Sequence, residues 1–398
     1  MQSDRAQADR ATKHPKGWEP CKIESEDEVL IVSGPYADQP PADEVALLTF
    51  LGYDPEVWQI IDGTLDVGAH QGMTGKARDN ELVWQHRVRV KLQRRVRRNA
   101  ADVADLYRRI RTRRPAAKLP TGDLVFLVPI GDTQIGKGDG DGSAGTVARW
   151  TDSLDRTVAR LHQLRRAGYS IGEICVAWMG DLGEGCKDNY ASQKYATDLT
   201  MREQDSVLQE LVWETLDRFR RSAERMSVVV VPGNHGEERD QGKAYTLPSD
   251  NRDIAVIETV HRGIRRNANH AFDHVDFIYP TGHELTVALD LAGVSVGFAH
   301  GHQFGRGAKP SDKAHEWWRD QSHNDTLVGH SRLLITAHYH HLLVRQGRRS
   351  HIQIPSLDGG STWFENKTGE WSPPGMVSLV VGDGIGPAGC GWDELVIR

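Results

Sequence analysis

The chain has 398 residues, a formal net charge of −6, 38% hydrophobic and 26% charged residues, the composition of a soluble globular protein with room for two domains or one large one. No run of about 18 apolar residues occurs, so no membrane span is expected; the charged start Met1-Gln2-Ser3-Asp4-Arg5 leads into no apolar stretch, so no signal peptide is expected and the cytoplasm is the expected location. Cys21, Cys175, Cys186 and Cys390 form no CxxC pair, which argues against a zinc knuckle or a disulfide framework.

Residues 1–23 are polar and charged and are expected to be disordered. Residues 24–90 read as a small α+β region. A strand covers 29–32, and a helix opens at Pro41-Ala42-Asp43-Glu44 and runs to Leu51. Asp54-Pro55-Glu56 reads as the start of a second helix, and the pair joined at Gly52 fits a weak helix-turn-helix or a small packed corner. From Trp84 to Leu92 apolar and basic residues alternate, which predicts an edge strand with a positive solvent face. Residues 91–118 are strongly basic, with Arg94, Arg95, Arg97, Arg98, Arg108, Arg109, Arg111, Arg113 and Arg114 against Asp102 and Asp105. Such a segment can neutralise the phosphates of a polyanion, and it can equally be a solvated helix linking two domains. Pro115 to Pro120 closes it, which puts the domain boundary at 118/119.

Beyond that boundary the pattern becomes regular. Residues 124–130 form a strand ending at Gly131-Asp132, 146–166 have helical periodicity, and 174–179 form a strand ending at Gly180-Asp181. A long amphipathic helix spans 199–225, and the β-branched run Val228-Val229-Val230-Val231 stops abruptly at Pro232-Gly233-Asn234-His235. Alternating strands and helices predict an α/β domain with a parallel sheet covered by helices. The second half reads as short strands at 277–279, 285–289, 294–299, 333–337, 341–345, 352–355 and 376–381, interrupted by a helix at 312–322. That pattern suggests a second, mostly antiparallel sheet facing the first.

The polar residues that follow these strands form a set: Asp132, Asp181, Asn234, His235, His300, His338 and His340. Carboxylates, an amide oxygen and imidazoles together suit borderline divalent metals such as manganese, iron or zinc better than magnesium or calcium. Two such ions about 4 Å apart, sharing a carboxylate, activate water and stabilise an in-line displacement at phosphorus.

Five ordered motifs carry a resemblance: Asp132-Thr133-Gln134, Gly180-Asp181-Leu182-Gly183-Glu184, Gly233-Asn234-His235, His300-Gly301-His302 and His338-Tyr339-His340. Across residues 119–398 they resemble the calcineurin-like metallophosphoesterase superfamily. The resemblance implies a four-layer α-β-β-α sandwich of two facing sheets flanked by helices. It implies that Asp132 and His340 hold one metal, that Asp181 bridges, and that Asn234, His300 and His338 hold the other. His235 would lie beside the scissile phosphate, and a hydroxide shared by the ions would be the nucleophile. Where the family has a histidine this chain has Gln134, whose amide oxygen either binds a borderline metal more weakly or contacts a metal-bound water. Glu184 could orient a ligand or act as a helix N-terminal carboxylate; His302 could reach phosphate or make a structural hydrogen bond; Lys137 could touch phosphate or be solvated. His341 and His351 read as structural, and Trp317-Trp318 as core or lid rather than a stacking platform.

Within the family, the Arg-rich segment, Gln134 and the tail Ile354-Pro355-Ser356-Leu357-Asp358-Gly359-Gly360 resemble the SbcD-type and phage-encoded DNA exonucleases. That resemblance implies DNA as partner and two divalent ions, Mn2+ first and Fe2+, Zn2+ or Mg2+ after it, with no membrane and with homodimerisation left open. The alternatives are a small-substrate phosphomonoesterase or cyclic-nucleotide phosphodiesterase, and a weakly active binding scaffold.

Overall fold

The computed structural model describes residues 21–24, 28–36, 39–55, 58–61, 64–74, 81–94, 103–186, 193, 196–240, 242–305, 310–360 and 372–398. Most of the stretch expected to be disordered, and Arg95, Arg97 and Arg98, lie outside the described residues. The chain divides into two compact units, 1–98 and 99–398, so the boundary falls before the position expected at 118/119.

The first unit contains β1 (Cys21–Glu24), β2 (Glu28–Tyr36), α1 (Glu44–Leu51), β3 (Trp58–Ile60), β4 (Asp66–Thr74) and β5 (Glu81–Arg94). Residues 21–23 are therefore strand, not disordered, paired with β2. The alternation from Trp84 to Leu92 has the expected faces: Val88, Val90 and Leu92 are buried, and Arg87, Arg89 and Lys91 are exposed. The strand is central, however, not an edge, because β5 pairs antiparallel with β2, β3 and β4. Asp43 caps α1 by accepting from Ala46 N at 2.9 Å, and Leu47 and Leu48 pack on Val29, Ile31 and the buried face of β5. The helix expected from Asp54 does not form: Trp58-Gln59-Ile60 takes its hydrogen bonds from β5 instead, so the helix-turn-helix reading falls.

The second unit runs α2 (Val103–Thr112), β6 (Leu124–Ile130), α3 (Gly142–Arg166), β7 (Ile171–Trp178), α4 (Met201–Phe219), β8 (Arg225–Val230), β9 (Arg239–Asp240), β10 (Lys243–Ala244), α5 (Arg252–Ile264), β11 (Val275–Ile278), β12 (Thr286–Leu291), β13 (Val294–Ala299), α6 (Pro310–His323), β14 (Leu333–Thr336), β15 (Leu343–Arg345), β16 (Ser350–Gln353), β17 (Val377–Val381) and β18 (Trp392–Ile397). One sheet has the order β11-β8-β7-β6-β17-β18, parallel from β11 to β6; the other has the order β12-β13-β14-β16-β15. The second sheet is mixed rather than mostly antiparallel, since β13, β14 and β16 run parallel. The segments 277–279 and 376–381 belong to the first sheet, at β11 and β17.

Alternation along the strands builds the layers. Val125, Leu127, Cys175, Ala177, Val229 and Leu379 face Val296, Phe298, Leu333, Ile335 and Ile352 of the other sheet in a dry interface. The opposite face of the first sheet, with Phe126, Val128, Ile174, Val176, Val228 and Val230, is covered by α2, α3, α4 and α5 through Ile110, Trp150, Val212 and Ile257 among others. Beyond the second sheet, Leu334 packs on Trp318 of α6. The result is the four-layer α-β-β-α sandwich that the resemblance implies.

Two differences from the sequence reading follow. Helix α5 was not anticipated, although Asn251 caps it and Ile254, Ile257, Val260 and Ile264 bury one face. The described parts of the Arg-rich segment belong to different units: Arg94 ends β5, whereas Leu106 and Ile110 of α2 are buried in the core of the second unit. Among the described residues no helix is long and apolar enough to cross a membrane.

Candidate metal centre

Parallel register brings the strand ends of each sheet to one edge. Ile130 lies opposite Trp178 and Trp178 opposite Val230; in the second sheet Ala299 lies opposite Thr336. Asp132, Asp181 and Asn234-His235 therefore leave the first sheet where open α/β sheets bind ligands. His300 and the pair His338 and His340 leave the carboxyl ends of β13 and β14. The backbone there is unusual. Asp132 (φ 50°), Gln134 (41°), Asp181 (51°), His338 (72°) and His340 (59°) are left-handed, half of the ten such non-glycine residues among those described. Strain of this kind collects at sites whose surroundings over-determine it.

The side chains converge on shared points. One donor atom from each of Asp181, His300 and His338 lies within 4.8 Å of the others. His300 Nδ1 donates to Met179 O at 2.7 Å, which turns Nε2 inward to 3.0 Å from Asp181 Oδ2. Asp132 Oδ2 accepts from His338 N at 2.8 Å, while Oδ1 lies 3.3 Å from His340 Nε2. Gln134 brings its amide to 3.5 Å from the same imidazole nitrogen. Among the described residues, Asp132 Oδ1, Asn234 Oδ1 and His300 Nε2 are buried and make no hydrogen bond, the first and last having only the ion-pair contacts to His340 and Asp181. Buried polar atoms are normally satisfied, and three orphans on three residues of one constellation fit donors aimed at cations.

The electrostatics agree with a pocket built for positive charge. Burial opposes the ionised form of Asp181, but His300 and His235 outweigh it and hold the carboxyl well below its ordinary value. Burial likewise works against charge on His300, yet Asp181 lifts that imidazole to about 9. Burial and the neighbouring His300 push His302 down to about 3 and His338 down to about 4. The imidazoles thus split between partners of Asp181 and neutral donors.

His235 is oriented from behind. Its Nδ1 lies 2.9 Å from Glu184 O and 3.3 Å from Glu184 Oε2, so Nε2 faces the centre, 4.0 Å from Asp181 Oδ2. Burial disfavours its charge; Asp181 and Glu184 overcome this and raise it to about 10. Glu184 is buried behind the histidine and lies outside the described helices. His302 Nε2 points towards Glu237 Oε1 at 3.6 Å, and Nδ1 has no hydrogen-bond partner among the described residues. Lys137 is not solvated: it is paired with buried Asp358, whose Oδ2 also lies 3.8 Å from His340 Nδ1. A carboxylate behind a ligand imidazole fixes its orientation, and Asp358 escapes the sequence reading in that role. Asp253 escapes it too, accepting from the backbone of Asp181, Leu182 and Gly233. Of the candidate arginines, Arg108 pairs with Asp105, and Arg109 with Asp105 and Glu210. His341 binds Tyr339 O, His351 binds Thr336 and Trp318 binds Val328 O, as structural residues do.

No protein-family profile and no curated protein matches the chain. Solved structures similar to this chain include Vps29 from Entamoeba histolytica, at 16% identity and a TM-score of 0.29 over 69% of this chain and 99% of that one. Vps29 from Cryptosporidium parvum gives 14% and 0.28 over 69% and 99%, and phosphopantetheinyl hydrolase from Mycobacterium tuberculosis gives 11% and 0.25 over 63% and 95%. Likeness at this level bears on no residue of the centre.

Proposed function

We propose that this chain is a divalent-metal-dependent phosphoester hydrolase and that DNA is its substrate. The observation that carries the first part is the grouping of donor atoms of Asp181, His300 and His338 within 4.8 Å of one another, together with buried Asp132 Oδ1, Asn234 Oδ1 and His300 Nε2, which make no hydrogen bond among the described residues. Asp132, His340 and Gln134 would hold one ion; Asn234, His300 and His338 would hold the other, with Asp181 shared. A donor set of carboxylate, amide oxygen and imidazole without thiolate suits Mn2+. Bound there, two such ions would supply an activated water and neutralise charge developing at phosphorus. His235, held through Nδ1 by Glu184, presents Nε2 to the leaving oxygen and gives it a proton.

DNA as substrate is supported by the exposed basic face of β5, with Arg87, Arg89 and Lys91, by the exposed Arg108, and by the resemblance to phage exonucleases. A small phosphomonoester is the second reading. It is favoured by Arg109 and Arg113, which are spent on Glu210 and Asp217 of the same unit instead of being free for phosphates. Purified protein with Mn2+ is expected to degrade linear duplex or single-stranded DNA. Turnover of p-nitrophenyl phosphate with both DNAs left intact would overturn the nuclease reading in favour of the second.

A further inference from the structure

The start of α5 grips the loops that carry the candidate ligands of the first sheet. Asp253 is 2% exposed; its Oδ2 accepts from Asp181 N at 2.9 Å and Gly233 N at 3.1 Å, and its Oδ1 from Leu182 N at 3.0 Å. Asn251 Nδ2 donates to Gly233 O at 2.9 Å, and Arg252 N donates to Gly236 O at 2.8 Å. The Arg252 guanidinium donates to Gln204 Oε1 at 3.1 Å, and the same oxygen accepts from Gly185 N at 3.0 Å, beside Glu184. Three consecutive residues thus reach the loops of Asp181, of Asn234-His235 and of Glu184.

The fit leaves no slack. A Cβ on Gly236 would lie 2.3 Å from Asn251 Oδ1 and 2.9 Å from Asp253 Oδ2, and one on Gly233 would lie 2.2 Å from Asp181 N. Burying a carboxylate next to another carboxylate is costly, and three backbone donors are what make it tolerable. Apolar packing of α5 would need neither the charge nor the glycines. We propose that Asp253, assisted by Asn251, is a positioning residue that sets Asp181 against Asn234 and thereby the affinity of the ion held by Asn234, His300 and His338. This rests on the metal reading of the centre.

The test is Mn2+ titration of the full chain by calorimetry, with far-UV circular dichroism and the melting of the metal-free protein as controls. Asp253→Asn keeps the size but turns one acceptor into a donor facing an N–H. It is expected to weaken binding of an ion by about 10–100-fold, with unchanged secondary structure and with turnover recovered in excess Mn2+. A folded Asp253→Asn protein with the wild-type isotherm overturns the proposal. If that variant does not fold, Asn251→Ala, which keeps the carboxylate, decides: a smaller loss of affinity supports the role and a wild-type isotherm overturns it. A wild-type chain that binds no Mn2+ overturns the metal reading itself, an outcome distinct from the others.

Discussion

At Gln134 an amide stands beside His340, 3.5 Å from its Nε2, where an imidazole would bind a borderline ion more tightly. Gln134→His is therefore expected to strengthen Mn2+ binding on the order of tenfold, or about 1.4 kcal/mol, in the same calorimetric titration; an unchanged isotherm would mean that the amide takes no part in holding metal. His235 is a different case, since its Nδ1 is engaged with Glu184 and its Nε2 lies 4.0 Å from Asp181 Oδ2, so in the proposed reaction it would pass a proton rather than hold metal. His235→Ala is expected to lower kcat on bis(p-nitrophenyl) phosphate by about 10²–10⁴-fold while metal content by mass spectrometry stays at the wild-type level. The candidate ligands were legible in the sequence because each is a short donor side chain placed just after an apolar strand. Asp253 and Asp358 were not, because they act through backbone amides or behind an imidazole. Asp253 lies 72 positions from Asp181, and the partner of Lys137 is 221 positions away. Charge is visible in a sequence; its partner is not.

Among the elements, end signals are an uneven guide: α5 carries an Asn251 cap and is still absent from the sequence reading, whereas the helix read over 199–225 is present as α4, over 201–219. Helix α4 is preceded by Thr200, which forms a capping box with Glu203: Thr200 N donates to Glu203 Oε2 at 2.8 Å, and Glu203 N donates to Thr200 Oγ1 at 3.4 Å. Thr200→Ala is expected to cost about 1 kcal/mol in urea unfolding. The segment after Asp54 carried a helix-start signal that lost to strand pairing on β5. Strand membership was also beyond local pattern. The runs at 277–279 and 376–381 look like any short apolar strand, yet they enter the first sheet because β11 pairs with β8 and β17 with β6. Between the sheets the packing is tight, and Phe298 is fully buried there. Phe298→Ala is expected to cost about 3–5 kcal/mol, read as a lowered denaturation midpoint with an unchanged slope.

For the whole molecule, acid lability is expected from a residue that is not part of the candidate metal centre. His351 is buried, with one nitrogen 2.8 Å from Thr336 Oγ1 and the other without a hydrogen-bond partner among the described residues. Burial, then His315 and Arg345, hold its pKa down to about 3, against about 6.5 in an unfolded chain. The unfolded state therefore binds the extra proton, so this contribution is complete above about pH 6.5 and fades as the pH falls towards 3, with about 2.5 kcal/mol gone by about pH 4.5. His351→Gln should flatten the fall of Tm over that interval; an equally steep fall would assign the lability elsewhere. The left-handed residues of the centre have a further consequence, for engineering. Asp132, Gln134, Asp181, His338 and His340 occupy backbone positions where glycine would relieve about 1 kcal/mol or more each. A search for thermostable variants that scored folding alone would therefore exchange these side chains for glycine first. It would return a sturdier scaffold stripped of its chemistry, so any stabilisation campaign on this chain has to hold those five positions fixed.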